Sequence, residues 1–353
     1  MTDETIYTLS AEAISGFLKN PAQWQASLTG TNAVYQLEQK FCRLLRKPYA
    51  LTFSSATAAI FAILKSLGLE DRDVLCPPLT WGGSIAGLLA TGNRPLWVDV
   101  LPGGTVDPAQ IEDAITPTTR ALLGVDLYGN PASQTLRHVA NKYGLFYLQD
   151  CAQSFGAYVG SRHTGHLADA AIFSLGFNKP LFGGEGAVVA LQDQWLYERL
   201  IEQFHHPARQ RRDQPFKPAN EFALNLRINP FAAVLANAVG HQVLVEVDRH
   251  REACLHLLQR LNSEGLSATP VPPPSIKPAF YTFAVEFAVQ SEDLAAWLAR
   301  EAPEWRIAPL PIREPLYQHD YFRRLAAQNG WSISRCPAAE AHCRTRVALT
   351  KAS

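Results

Sequence analysis

The chain lacks an excess of charge of either sign: its 353 residues carry 32 Lys and Arg against 32 Asp and Glu. With no global field to attract phosphate backbones or an anionic membrane, neither nucleic acid nor a membrane surface is expected as a partner. The run Arg209, Arg211, Arg212 is the one local exception. No apolar stretch approaches the roughly 20 residues of a membrane helix, and the first residues show no basic-then-apolar leader, so a cytoplasmic location is expected. CxxC pairs are missing too. The cysteines Cys42, Cys76, Cys151, Cys254, Cys336 and Cys343 are scattered, and a chain of this size needs no disulfide to hold a core, so they are expected to be reduced and mostly buried. His205-His206 and the other histidines show no ligand spacing, which predicts surface histidines and no metal site. Low-complexity tracts and internal repeats are also absent.

What is present is the composition of an ordinary folded protein, 47% hydrophobic and 18% charged. The length predicts a large domain over 1–245, opening with a helical segment, and a smaller α+β domain over 246–353. Short apolar runs at Ala50–Phe53, Val74–Cys76, Pro95–Val100, Ala121–Val125, Leu145–Leu148 and Ala170–Phe173 read as buried strands. Between them, Ile60, Ile63, Leu64 and Leu67, and then Leu136, Val139, Ala140 and Tyr143, keep helical spacing. Such alternation predicts an α/β fold with a mostly parallel sheet between helices. Further along, Trp195–Phe204 reads as a helix, His205–Asn220 as a polar, mobile loop, and Phe231–Leu261 as a long helix. Tyr281–Phe287 reads as a strand, followed by a helix around Asp293–Arg300.

Ligands of open α/β sheets gather beyond the carboxyl ends of the strands. Ser54-Ser55-Ala56-Thr57, Thr80-Trp81, Asp150 and Ser174 all stand at such ends and are expected to share one pocket. A carboxylate ending a buried strand, as Asp150 does, fits a structural ion pair or cap. It also fits a partner for the protonated ring nitrogen of pyridoxal phosphate. Lys179 lies in an apolar turn with Gly183, Gly184 and Gly186; burial there favours the neutral amine that attacks an aldehyde, against the commoner fate of a solvated lysine. Ser55, Ala56 and Thr57 leave a strand and open a helix, where they fit either a plain cap or a phosphate cradle. Trp81 fits either a core position or a platform for a ring.

Together these residues resemble the DegT/DnrJ/EryC1/StrS family of sugar aminotransferases, within the fold-type-I pyridoxal-phosphate enzymes. The likeness runs over roughly residues 30 to 260. Its most specific stretch is Asp150-Cys-Ala-Gln153-Ser-Phe-Gly156, with Gly160, Gly165, Asp169, Phe173-Ser174, Lys179 and Gly184-Glu185-Gly186 at the expected spacings. The resemblance implies pyridoxal 5'-phosphate as cofactor, held as an internal aldimine on Lys179, with Asp150 on the pyridine nitrogen and Gln153 near the phenolic oxygen. It also implies Trp81 against the ring, and Ser55, Ser174 and the Ala56 and Thr57 amides around the phosphate. Asn225-Leu-Arg227 is similar to the family's asparagine-x-arginine segment, whose asparagine reaches the neighbouring subunit's phosphate. A homodimer with shared sites is therefore implied, and Arg227 becomes a candidate for a substrate anion, with Arg209, Arg211 and Arg212 as weaker ones.

Two departures bear on substrate. Ala56 stands where the family usually has glycine, and Val125-Asp-Leu-Tyr-Gly129 stands where it commonly has Val-His-Leu-Tyr-Gly, which predicts a carboxylate, Asp126, near the pocket mouth. The resemblance implies transfer of an amino group from glutamate or glutamine to a keto sugar, nucleotide-linked. Two other readings compete: a different pyridoxal-phosphate reaction (lyase, racemase or carbon-carbon bond formation) and a non-catalytic regulatory homologue.

Overall fold

In the computed structural model, which describes residues 4–351, the six expected strands and one not expected from the sequence, Ala187–Leu191, assemble into one seven-stranded sheet. Its members are β1 (Tyr49–Phe53), β2 (Asp73–Cys76), β3 (Arg94–Trp97), β4 (Thr119–Val125) and β5 (Phe146–Asp150). The short β6 (Tyr158–Val159) and β7 (Arg162–His163) lie outside it, and β8 (Ala170–Ser174) and β9 (Ala187–Leu191) complete it. The order is β1-β9-β8-β5-β4-β2-β3. Strands β3, β2, β4, β5 and β8 pair in parallel, whereas β9 is antiparallel to both β8 and β1. That reversal matters for function. A parallel β9 would need a crossover to the opposite end of the sheet; the antiparallel one lets residues 175–186 stay above the carboxyl end of β8, and Lys179 lies in that loop.

The sheet is buried on both faces, and alternate residues of each strand serve different cores. Ala170, Ile172, Ala187, Val189 and Leu191 pack with helices Ala56–Ser66 and Gln194–Phe204, while Ala171, Phe173, Val188 and Ala190 pack with helices Asn32–Leu45 and Pro230–Ser263. The apolar stripe of Ala56–Ser66 is the expected one, with Ile60, Ile63 and Leu64 almost fully buried. A third core joins Cys254, Leu257, Leu258 and Leu261 of helix Pro230–Ser263 to Phe283, Leu294, Trp297 and Trp305. Around it, β10 (Ile276–Lys277) pairs with β6, and β11 (Phe283–Glu286), β12 (Trp305–Ala308) and β13 (Arg346–Lys351) form an antiparallel sheet in the order β11-β13-β12.

Three expectations are corrected. The stretch after His205 is not an open loop: Pro207–Asp213 is helical, capped by the His206 side chain, because Arg209 is drawn into the interior by Glu38. Histidines are not confined to the surface, since His163, His205 and His342 are buried; His205 packs edge-on to Phe53. The expected boundary at 245 falls inside the continuous helix Pro230–Ser263. That helix is also long and apolar enough, by length and composition alone, to cross a membrane. Its small residues Ala232, Ala233 and Ala236, with Val239 and Val243, form a stripe buried in the protein, the pattern of a core helix. All six cysteines are free, four of them buried.

Two outcomes follow from this packing. His163 is held neutral: its Nε2 accepts from the Gly156 amide at 2.9 Å, and burial pulls its pKa from 6.5 down to about 4. The unfolded chain therefore takes up this proton first as pH falls. The stability His163 contributes is complete above pH 6.5 and is lost as pH drops toward 4, by up to ~3 kcal/mol. A His163→Gln variant should show a correspondingly shallower loss of unfolding free energy over that window in denaturant titrations. Gly87, in helix Gly82–Leu89, is a contact point between helices: a Cβ there would lie 2.7 Å from the Thr57 carbonyl oxygen and 3.0 Å from the Phe61 nitrogen. Since backbone cannot yield as a flexible side chain does, Gly87→Ala should cost about 1–3 kcal/mol, read as a lower thermal midpoint.

Candidate functional site

Five strand ends converge on a crevice of about 380 Å³, a volume within the range of small-ligand and cofactor sites. After β1 come Ser55, Ala56 and Thr57; beyond β2 come Thr80, Trp81, Gly83 and Ser84; after β4 come Asp126 and Tyr128. Asp150 and Gln153 follow β5, and Ser174 closes β8 before Asn178 and Lys179. Tyr281, Thr282, Pro311 and Ile312, from the carboxyl-terminal third, form the facing wall. Of the residues singled out from the sequence, Lys179, Asp150, Ser55, Ala56, Thr57, Trp81, Gln153 and Ser174 thus border one cavity.

One end of the crevice is shaped for an anion. Ser55 caps helix Ala56–Ser66, its Oγ accepting from the Ala58 amide at 3.1 Å. The Ala56 and Thr57 amides precede the first intrahelical partner and stay free, at the positive end of the helix dipole. Thr57 Oγ1 donates to the Gly83 carbonyl at 3.1 Å, and the Ser174 hydroxyl receives the Gly176 amide at 3.2 Å. The Ser55 and Ser174 hydroxyls, which accept those bonds, keep their protons for a ligand, whereas that of Thr57 is spent on Gly83. A phosphate-sized dianion fits this donor set, because two main-chain N–H groups and flanking hydroxyls meet it without a buried cation.

The middle of the crevice carries the ionisable pair. Asp150 is buried, its Oδ1 held by the Ala152 amide at 2.9 Å and its Oδ2 by the Ser84 hydroxyl at 2.6 Å; Ser84 in turn is 2.8 Å from Thr80 Oγ1. The carboxylate is thus fixed in direction but meets no cation at ion-pair distance. Lys179 Nζ makes no hydrogen bond or ion pair among the described residues and lies 5.2 Å from the centre of the Tyr281 ring. Desolvation lowers the Lys179 pKa, and the Asp150 charge partly opposes that; the result is an amine more nucleophilic at neutral pH than a surface lysine. Gln153 is oriented as well. Its Oε1 accepts from the Tyr128 amide at 2.6 Å, leaving the Nε2 hydrogens to face the cavity.

Sequence reasoning missed Ser84 and Tyr281. Ser84 carried a usable signal, a hydroxyl two residues into the helix after Trp81, whereas Tyr281 sits inside an apolar strand-like run with nothing to separate it from core residues. Asn225 and Arg227 are not brought to the crevice. Asn225 is exposed, and Arg227 donates to Ser27 Oγ at 3.2 Å while its Nη1 stays buried without a partner. The other candidate arginines are already committed: Arg209 forks onto both Glu38 oxygens at 2.8 and 2.9 Å, Arg211 pairs with Glu221 and Arg212 with Asp213. The basic run is therefore neutralised locally. The expectation for Asp126 is also corrected. Although the residue borders the crevice, its carboxylate is fully buried beneath it and accepts four hydrogen bonds, so it is not offered to a substrate at the mouth.

The chain is similar to proteins of known structure and name. DesV of Streptomyces venezuelae, solved in complex with a ketimine intermediate, superposes with a TM-score of 0.75 at 27% identity, covering 98% of this chain and 90% of that one. An aminotransferase from Brucella abortus gives a TM-score of 0.81 at 21% identity, over 98% and 91% of the two chains. Among curated relatives, dTDP-3-amino-3,4,6-trideoxy-alpha-D-glucose transaminase of S. venezuelae is 32% identical over 286 residues, 79% of this chain and 74% of that protein. GDP-perosamine synthase of Escherichia coli O157:H7 is 33% identical over 173 residues, a match that spans only 48% of either chain. The model of the DegT/DnrJ/EryC1/StrS aminotransferase family matches residues 14–352, nearly the whole length, and the chain belongs to that family.

Proposed function

We propose that this protein is a pyridoxal-phosphate-dependent aminotransferase that moves an amino group from glutamate or glutamine to the keto carbon of a sugar, nucleotide-linked. The observation that carries the reading is Lys179: an amine in a partly desolvated crevice, without hydrogen bond or ion pair, beside a fixed carboxylate and a helix terminus with free N–H groups. A lysine kept only for structure would be paired or solvated. Sugar transamination is what the name of the S. venezuelae transaminase describes for that protein.

Bound pyridoxal phosphate supplies an aldehyde carbon for amine exchange and a protonated ring that draws off electron density. Lys179 would hold it covalently and move the proton at the substrate carbon that carries nitrogen. Asp150, steadied by Ser84 and the Ala152 amide, would keep the ring nitrogen protonated. Ser55, Ser174 and the Ala56 and Thr57 amides would take the phosphate, Trp81 would cover one ring face, and Gln153 would donate to the phenolic oxygen. Asn225, exposed and outside the lining of its own crevice, is assigned to the site of a second copy, so the working unit is a homodimer in the cytoplasm. Arg227, with an unpartnered Nη1, is the arginine assigned to a substrate anion. The division between the cofactor-binding domain, 1–245, and the smaller domain, 246–353, is placed inside the long helix, where its contacts pass from the second core to the third.

The test is an absorption spectrum of the protein supplied with cofactor, taken before and after glutamate or glutamine, with Lys179→Ala alongside. A band that needs Lys179 and converts to the pyridoxamine form is the expected result. A lysine-dependent band that no amino donor moves would transfer the reading to another pyridoxal-phosphate reaction, and no band at all would overturn it. Asp150→Ala is expected to lower the rate of the donor half-reaction by at least about 10²-fold, the scale of a lost electrostatic or proton-handling group, measured by stopped-flow absorbance.

A further inference from the structure

Asp126 is a carboxylate with no exposure to solvent and no cation at ion-pair distance. An isolated buried charge is tolerated only where hydrogen bonds replace its water. Here four do: Oδ1 accepts from the Ala132 amide and from Gln149 Nε2, each at 2.8 Å, and Oδ2 accepts from Ser154 Oγ at 2.7 Å and Thr164 Oγ1 at 2.8 Å. The donors come from four places, namely the far end of its own loop, β5, the turn after β5, and the segment after β7. Its backbone amide adds a bond to the Asp150 carbonyl at 3.0 Å. One side chain thereby joins the loop after β4 to the turn that carries Gln153.

Between those two segments lies a contact that faces the cofactor crevice, the Tyr128 amide on Gln153 Oε1. Tyr128 makes it from a left-handed conformation, φ +58°, which costs a bulky residue on the order of 1 kcal/mol and persists only where the surroundings impose it. The Asp126 clamp, which ties residue 126 to residue 132 and so closes the loop around Tyr128, imposes it together with the Ala279 and Thr282 amides on the Gly129 and Tyr128 carbonyls. Without it the loop can relax, the amide leaves Gln153, and the glutamine is free to turn its carbonyl toward the crevice.

We propose that Asp126 is a positioning residue of the active site: through Ala132 and Ser154 it holds Tyr128 and Gln153 so that only the Gln153 N–H2 group faces the cofactor's phenolic oxygen. This rests on the reading that pyridoxal phosphate occupies the crevice. Hydrogen-bond geometry, rather than negative charge, carries the role. An asparagine at 126 can accept from Ala132 and Gln149 with its oxygen and donate to the two hydroxyls, which rotate to accept.

The experiment compares Asp126→Asn, Asp126→Val, Gln153→Leu and the double variant Asp126→Val/Gln153→Leu, each supplied with pyridoxal phosphate. Band position, cofactor affinity and thermal midpoint are recorded. Asp126→Asn is expected to keep the parental band. Asp126→Val and Gln153→Leu should each shift it in the same sense and weaken cofactor binding by about tenfold, with no further change in the double variant, because residues acting through one contact are not additive. If Asp126→Val fails to fold, Ser154→Ala removes the one bond next to Gln153 and gives the same comparison. Additive losses, or a parental band in folded Asp126→Val, would overturn the proposal while leaving the cofactor reading intact. A parent protein with no lysine-dependent band would instead remove the cofactor reading, and the proposal with it.

Discussion

A sheet covered on both faces leaves its polar groups nowhere to meet water except at the strand ends, and the rest of the structure is arranged around that constraint. Groups that stay inside must be answered by protein. Glu38 is answered four times, by both arms of the Arg209 fork and by the Thr52 amide and hydroxyl, so that helix Asn32–Leu45, β1 and helix Pro207–Asp213 are joined in the interior. Removing one partner of such a pair would strand a buried charge, a loss of roughly 3–5 kcal/mol. At the opposite end of the sheet from the crevice, Asp73 is answered by Arg94 and two threonine hydroxyls. Against this background the crevice stands out by its incompleteness. The Lys179 amine and the two leading amides of helix Ala56–Ser66 border it with no hydrogen-bond or ion-pair partner among the described residues, an arrangement that selection for stability alone would not produce.

Much of this was legible in the sequence because period and position carry it. The β1, β2, β4, β5 and β8 runs are continuous and apolar, as strands buried on both faces must be, and the hydroxyls, carboxylate and tryptophan that follow them are polar or bulky where a simple turn would favour glycine and asparagine. What was hidden depends on direction or on distant partners. The reversal of β9 leaves no trace, since Ala187–Leu191 reads the same in either orientation, yet it determines where Lys179 is held. Helix Pro207–Asp213 was hidden for another reason: its polar residues look solvated until Glu38, far away in sequence, draws Arg209 inward. Asp126 was misplaced because a charged residue after a strand suggests a pocket lining, and only the four donors reveal that it faces the interior.

Helix Pro230–Ser263 links the two regions without a break. Its first half packs beside helices Glu4–Leu18 and Asn32–Leu45, and its second half belongs to the third core with Trp297 and Trp305. Gly183, beside the Lys179 loop, approaches this helix so closely that a Cβ would lie 2.6 Å from the Ala232 carbonyl oxygen. The loop that carries the amine is therefore seated on the same rod that supports the smaller sheet. Residues 278 to 282 return from that sheet to the crevice, where the Ala279 amide meets the Gly129 carbonyl at 2.9 Å and the Thr282 amide meets the Tyr128 carbonyl at 3.3 Å. A shift of the smaller sheet would reach the site along two routes, through the rod beneath Lys179 and through the contact on Tyr128.

The segment from Phe216 to Asn225 is the part of the chain least explained by a single copy. Phe216 and Phe222 are almost wholly exposed and Leu224 is half exposed, although each would gain about 1.5–3 kcal/mol from burial. Scattered apolar residues on a surface require no account, but two phenylalanines and a leucine on one short segment, next to an exposed asparagine outside the lining of its own crevice, are a concentrated exception. In the homodimer proposed above both features have one cause. The backbone of this segment is anchored at its far end, where the Leu226 carbonyl receives the Ser54 amide at 2.7 Å, so the chain passes beside the turn that opens helix Ala56–Ser66 while Phe216, Phe222 and Leu224 stay exposed. A second copy related by a two-fold axis would receive them there and return the same contact, which makes completion of each site and burial of the aromatics a single event.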